Sequence, residues 1–141
     1  MSLHRRIDYR TEGFDLHEAA PDPITQWFTW FEQAEEAGCV EPNAMVVATV
    51  GRDGVPDARN VLVRSADQRG IVFFTNYESN KSRQLEAQPS AVALFSWLAV
   101  HRQVKFRGRV RQVSDTESDE YFASRPRDSQ IGAWASPQTT V

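Results

Sequence analysis

From Asp22 onward the apolar residues recur first with a helical period and then with a strand period. Ile24, Trp27, Phe28, Phe31 and Ala34 share one face of a helix that Asp22 caps, Pro23 opens and Gly38 closes. An aromatic stripe at that spacing is core packing. Ala44 to Val50 is a continuous apolar run and reads as a buried strand, and Gly51-Arg52-Asp53-Gly54 turns it back into a second strand over Val55 to Arg64. A further polar turn, Ser65 to Gly70, leads into Ile71 to Phe74. Ser79 then caps a short helix that ends before Pro89, and Ala91 to Trp97 forms the next strand.

Gln103 to Val113 alternates strictly. Val104, Phe106, Gly108 and Val110 fall on one side, and Lys105, Arg107, Arg109 and Arg111 on the other. Ser114-Asp115-Thr116-Glu117 is a capping box before a helix through Ala123. The stretch from Arg125 to Val141 shows neither period and reads as a polar loop around Trp134, while Met1 to Pro21 reads as an arm. Short connections between five or so strands predict a mainly β fold with flanking helices, an antiparallel sheet closing towards a barrel. The predicted organisation is an N-terminal arm, residues 1–21, and one domain, residues 22–141.

Composition narrows the function classes. A chain of 141 residues, 40% hydrophobic and 25% charged, can bury a core without metal or disulfide staples. Its net charge of -3 gives no overall attraction to nucleic acid or anionic membranes, so any anion site is local. Cys39 is the single cysteine, which points to a reducing compartment, and the basic start lacks the apolar run of a secretory signal. Ala91 to Val100 is about half the ~20 residues a membrane span needs. The expectation is a cytoplasmic protein. His4, His17 and His101 are scattered, which argues against a metal site. No nucleophile elbow and no glycine-rich phosphate loop occurs, so an enzyme of this sequence would leave the hard step to a cofactor.

The stretch Ala58 to Lys81 gathers the candidate chemistry. Arg59 and Arg64 bracket an apolar strand core, and Thr75 and Lys81 sit beside the first free amides of a helix. Cations, a hydroxyl and helix-start amides are the donors that hold a phosphate. Against this, strand-end arginines are most often solvated. Arg59 and Arg64 also have opposite parity, so they meet one ligand only if the strand bulges or the ligand wraps its end. The row Lys105, Arg107, Arg109 and Arg111 admits a nucleic-acid surface, but a solvated or interfacial sheet face is favoured by the acidic overall balance.

Five segments carry a family resemblance: RPRDSQIGAWASPQT from Arg125, EPNAMVVATV from Glu41, RNVLVR from Arg59, FFTNYESNK from Phe73 and RQV from Arg102. From about Pro21 to its last residue the chain resembles pyridoxamine 5′-phosphate oxidase, and the Arg125 segment is highly specific. The resemblance implies a homodimeric split β-barrel binding FMN between subunits. It also implies oxidation of pyridoxine or pyridoxamine 5′-phosphate to pyridoxal 5′-phosphate, with hydride passing to the flavin and O2 leaving as H2O2. The FMN contacts it implies are Arg59, Asn60, Val61, Leu62, Val63 and Arg64, then Phe74, Thr75, Asn80 and Lys81, and finally Gln103, Gln138 and Thr139. The substrate contacts it implies are Arg64, Tyr121, Arg125 and Ser129.

The sequence departs from the family pattern in three places. Arg64 stands where the family usually has lysine, and Asn80 where it usually has arginine. A lost charge-assisted hydrogen bond is worth about 1.5 to 3 kcal/mol, roughly ten- to a hundredfold in FMN affinity. Family members also continue past the position of Val141 through strands that carry further flavin and substrate contacts. The expectation is therefore a truncated oxidase that turns over weakly or not at all. The alternatives are a flavin-binding split barrel without B6-phosphate oxidase activity, reductase-like or non-catalytic, and a nucleic-acid binder acting through the cationic row.

Overall fold

The structure, a computed structural model, describes residues 13–135. Helix α1, Pro23–Glu36, begins where predicted, with the Asp22 carboxylate accepting from the amides of Ile24 and Thr25 at 3.0 Å each. The Thr25 hydroxyl first, and then these amides, lower the Asp22 pKa to about 2. Ala37 ends the helix, and Gly38 follows at φ +74°, a left-handed conformation that a side chain would strain. Trp27 and Ala34 are buried, whereas Phe28 lies at the margin of the apolar face and stays 42% exposed.

Five antiparallel strands follow: β1 Ala44–Val50, β2 Pro56–Asp67, β3 Gly70–Phe73, β4 Ser90–Trp97 and β5 Arg102–Arg109. Their order is β3-β2-β1-β4-β5, a curled half-barrel. The β1–β2 turn is the predicted one, with Gly54 at φ +77° and its amide on the Gly51 carbonyl at 3.0 Å. An opening of about 1080 Å³ lies between the edge strands, lined by Ile71 to Phe73 of β3 and Phe106 to Arg109 of β5. Among the described residues those two edges do not pair with each other.

The concave face of the sheet carries the core. Met45, Val47, Ala93, Phe95 and Trp97 point inward against Trp27 of α1, whose ring lies 5.3 Å from Phe95 and 6.0 Å from Phe106. Trp97 Nε1 donates to the Pro42 carbonyl at 2.8 Å, tying β4 to the α1–β1 connection. The opposite face is not the polar surface that a one-sided sheet presents. Ala44, Val46 and Ala48 of β1 and Val92 and Leu94 of β4 lie there half-buried and side by side, in the registers Val46↔Leu94 and Ala48↔Val92.

Three sequence expectations need correction. The second strand runs three residues further than Arg64, through Asp67, because Ser65, Ala66 and Asp67 pair with Val72, Ile71 and Gly70. The alternating strand stops at Arg109, so Val110 to Val113 are outside the sheet and Arg111 is off the cationic row. The polar segment after Arg125 is a helix, α4, Arg127–Ala135, directly following α3, Asp115–Ser124. Its apolar residues are confined to its last turn or so and set no sustained period; its start is fixed by the Pro126 carbonyl, which accepts from Ser129 and Gln130 at 2.9 and 3.0 Å. Helix α2, Asn80–Ala87, agrees with the prediction.

Candidate phosphate-binding groove

The groove follows from the unequal lengths of β2 and β3. Strand β3 is four residues long and pairs only with Val63 to Asp67, so the edge of β2 from Pro56 to Leu62 is left without a neighbour on that side. After Phe73 the chain peels away through Phe74, Thr75 and Asn76 and turns into α2. The space enclosed is about 1230 Å³, lined by β2, by Phe74, Thr75 and Lys81 from the segment that follows β3, and by Tyr121, Arg125 and Ser129.

The parity objection to Arg59 and Arg64 has a structural answer. The β2–β3 register shifts between Val63 and Ser65, a bulge centred on Arg64. An extra residue re-aims the side chain at a bulge, and Arg59 and Arg64 both line the groove. The Arg64 guanidinium lies 5.8 Å from the Tyr121 ring centroid. Tyr121 itself stacks on Phe74, with centroids 3.7 Å apart and planes at 6°.

Lys81 is the most distinctive cation. It is 7% exposed, yet its ammonium donates to one neutral acceptor, Thr75 Oγ1, at 3.0 Å. Burial first, and then the like charge of Arg59, hold its pKa below the usual 10.5, with Asp57 opposing. Beside it, buried Ser79 sits at the N-cap of α2 without capping its amides; its hydroxyl turns instead to Ser82 Oγ at 3.1 Å. A desolvated ammonium, a hydroxyl and uncapped helix-start amides at one end of a groove form a donor set suited to a phosphate.

Arg59 is engaged otherwise. Nη1 donates to the Val47 carbonyl at 3.1 Å, to Thr49 Oγ1 at 2.7 Å and to the Asp57 carbonyl at 3.3 Å. Nη2 donates to Gln84 Oε1 at 3.0 Å and forms an ion pair with Asp57 Oδ2. Gln84 and Asn80 also donate to Asp57 Oδ2, at 3.2 and 3.3 Å. The Gln84 hydrogen bond first, with the adjacent Arg59 charge, holds the Asp57 carboxyl below its usual range.

Of the positions singled out from sequence, Arg59, Asn60, Val61, Leu62, Arg64, Phe74, Thr75, Asn80, Lys81, Tyr121, Arg125 and Ser129 line this one groove. Val63 does not: it is buried in the core on the inward parity. Gln103 lies apart on β5, exposed on the outer face opposite Ser96. Gln138 and Thr139 fall outside the described residues. Sequence reasoning passed over Asp57, Glu78, Thr49 and Gln84. Asp57 was signalled by its i, i+2 spacing from Arg59, which puts both on one strand face. Gln84 and Thr49 meet Arg59 only through the fold.

Comparison with known proteins covers nearly the whole chain. Over 136 residues it is 56% identical to a pyridoxine/pyridoxamine 5′-phosphate oxidase of Burkholderia multivorans (strain ATCC 17616 / 249), and 52% identical to one of Methylibium petroleiphilum (strain ATCC BAA-1232 / LMG 22953 / PM1). In both, 96% of this chain aligns with 64% of the relative, so the chain spans somewhat less than two thirds of their length. PhzG from Burkholderia lata 383, solved with tetrahydrophenazine-1-carboxylic acid, superposes with a TM-score of 0.86 at 26% identity, over 93% of this chain and 66% of that one. A pyridoxamine 5′-phosphate oxidase-related, FMN-binding protein of Nostoc punctiforme PCC 73102 shares the fold, with a TM-score of 0.63 at 18% identity over 87% of this chain and 74% of that one. The family model for pyridoxamine 5′-phosphate oxidase matches residues 31–141, and with that match the chain belongs to the pyridoxamine 5′-phosphate oxidase family of split barrels.

Proposed function

We propose that this chain binds FMN in the β2 groove and serves the oxidation of pyridoxine or pyridoxamine 5′-phosphate to pyridoxal 5′-phosphate. Pyridoxine 5′-phosphate and O2 give the aldehyde and H2O2; the amine consumes a water in addition and releases ammonia. FMN, when bound, supplies the two-electron acceptor that O2 regenerates. The observation that carries the reading is Lys81, a buried ammonium with a single neutral partner among the described residues, in a groove shared with Arg64, Tyr121 and Arg125.

The chain's own residues bind and orient. Lys81, Thr75 and the α2 amides take one phosphate, while Arg64, Arg125 and Ser129 take a second. The Phe74–Tyr121 stack gives the groove a flat apolar side. Among the described lining residues no hydroxyl is bonded to a carboxylate or imidazole, so positioning and charge neutralisation are the roles left to the protein.

The partner is a second copy of the chain. The aliphatic outer face of β1 and β4 supports it, and Gln103 lies exposed on the same face. A cytoplasmic location accords with the lone Cys39. Among the described residues no helix is long and apolar enough to cross a membrane.

One observation favours a second reading, a flavin-binding split barrel without this oxidase activity. Asn80 turns its amide to Asp57, adding no cation to the groove. Titration with FMN, anaerobic addition of pyridoxine 5′-phosphate and then a peroxide assay in air separate the two. Bleaching of the flavin followed by peroxide supports the oxidase. Tight FMN binding with no bleaching, by a protein of the relatives' full length that contains this sequence as well as by the chain itself, rejects it in favour of the second reading.

A further inference from the structure

Asp57 places a carboxylate against the cation that the sequence marks out as a phosphate ligand. Both terminal nitrogens of Arg59 already have acceptors within the chain, and the Asp57 carboxylate takes one of them. That carboxylate is held from three sides, by Arg59, by Gln84 Nε2 at 3.2 Å and by Asn80 Nδ2 at 3.3 Å. The Gln84 amide is oriented consistently, its oxygen accepting from Thr49 and Arg59 while its nitrogen donates to Asp57. At this end of the groove Arg59, Lys81 and Asp57 therefore sum to one positive charge. A phosphate monoester brings about 1.5 to 2 negative charges at neutral pH.

We infer that Asp57 is an affinity-setting residue: its carboxylate takes one terminal nitrogen of Arg59 and cancels a unit of positive charge, so a phosphate ester is held through Lys81 while Asp57 opposes it. The inference rests on the reading that the groove takes a phosphate. The competing role, a carboxylate needed to hold Arg59 in place, is set aside by the contacts. Three of the five Arg59 hydrogen bonds go to the Val47 carbonyl, Thr49 Oγ1 and the Asp57 backbone carbonyl, none of which requires the carboxylate, and a fourth goes to Gln84 Oε1, whose amide Thr49 also holds. Removing the charge leaves the guanidinium seated and raises the net positive charge facing the ligand. Between partly solvated charges a few ångströms apart, one unit is worth roughly tenfold in affinity or more.

The test is Asp57→Asn in the full chain, with Asp57→Ser as the second variant should the first not fold. Dissociation constants are measured for FMN, for riboflavin, which lacks the phosphate, and for inorganic phosphate. The expected result is FMN and inorganic phosphate bound about tenfold tighter, with riboflavin unchanged and the difference shrinking at high salt. FMN binding that weakens, or that moves in step with riboflavin, overturns the inference and leaves Asp57 a structural partner of Arg59. If the wild-type chain binds no FMN, the flavin reading fails on its own. Inorganic phosphate then decides: tighter binding by the variant upholds the role of Asp57, and unchanged binding removes it.

Discussion

Replacing Lys81 with methionine separates what this residue does for the fold from what it does for a ligand. In the unliganded chain the ammonium is 7% exposed and satisfies one of its three donors, on Thr75 Oγ1 at 3.0 Å. Its lowered pKa records a charge that burial disfavours. The sign follows from proton binding. Between the folded pKa and 10.5 the unfolded chain carries the proton and the folded chain does not, so stability rises with pH across that window. Methionine has similar length and no charge. It removes the desolvation cost and loses a hydrogen bond worth about 0.5 to 1.5 kcal/mol, leaving a net gain on the order of 1 kcal/mol. For a domain of this size that raises the melting temperature by a few degrees. The ligand loses a charge-assisted hydrogen bond worth about 1.5 to 3 kcal/mol, so FMN binds roughly ten- to a hundredfold more weakly. Thermal melts of the flavin-free protein and fluorescence titration with FMN read both quantities. A Lys81→Met protein that binds FMN as tightly as wild type, or that melts lower while still binding, refutes the reasoning.

Other expectations follow from the same geometry. FMN affinity falls on the alkaline side at a pH below 10.5, as Lys81 loses its proton, and Lys81→Met abolishes that limb; a titration series across pH shows it. Phe95 is fully buried against Trp27, Trp97 and Phe106, so Phe95→Ala destabilises by about 3 to 5 kcal/mol in denaturant unfolding. Val46→Glu puts a charge on the half-buried outer face of the sheet opposite Leu94. It should shift the chain from dimer to monomer in sedimentation while leaving the far-ultraviolet circular dichroism unchanged.

The sequence by itself determined the elements and much of the donor set. Asp22-Pro23 with the stripe from Ile24 to Ala34 specifies α1, because capping and periodicity are local. The turn at Gly51 to Gly54 and the apolar runs on either side specify the first hairpin for the same reason. Arg59, Thr75 and Lys81 were legible as candidate anion ligands from residue type and from their positions at strand ends and a helix start. Helix α4 escaped because its apolar positions, Ile131, Trp134 and Ala135, span little more than one turn and set no sustained period.

Only the tertiary structure decided how those ligands are used. The bulge at Arg64 brings two arginines of opposite parity to one groove, and nothing in the local pattern announces a bulge. Thr49 and Gln84 lie 10 and 25 residues from Arg59, yet they determine that its guanidinium is occupied while Lys81 is left with donors to spare. Charge and hydroxyl content are properties of residues and can be read along a chain. Which of them are buried, and against which partner, depends on contacts between distant segments, and that is where the affinity of the groove is set.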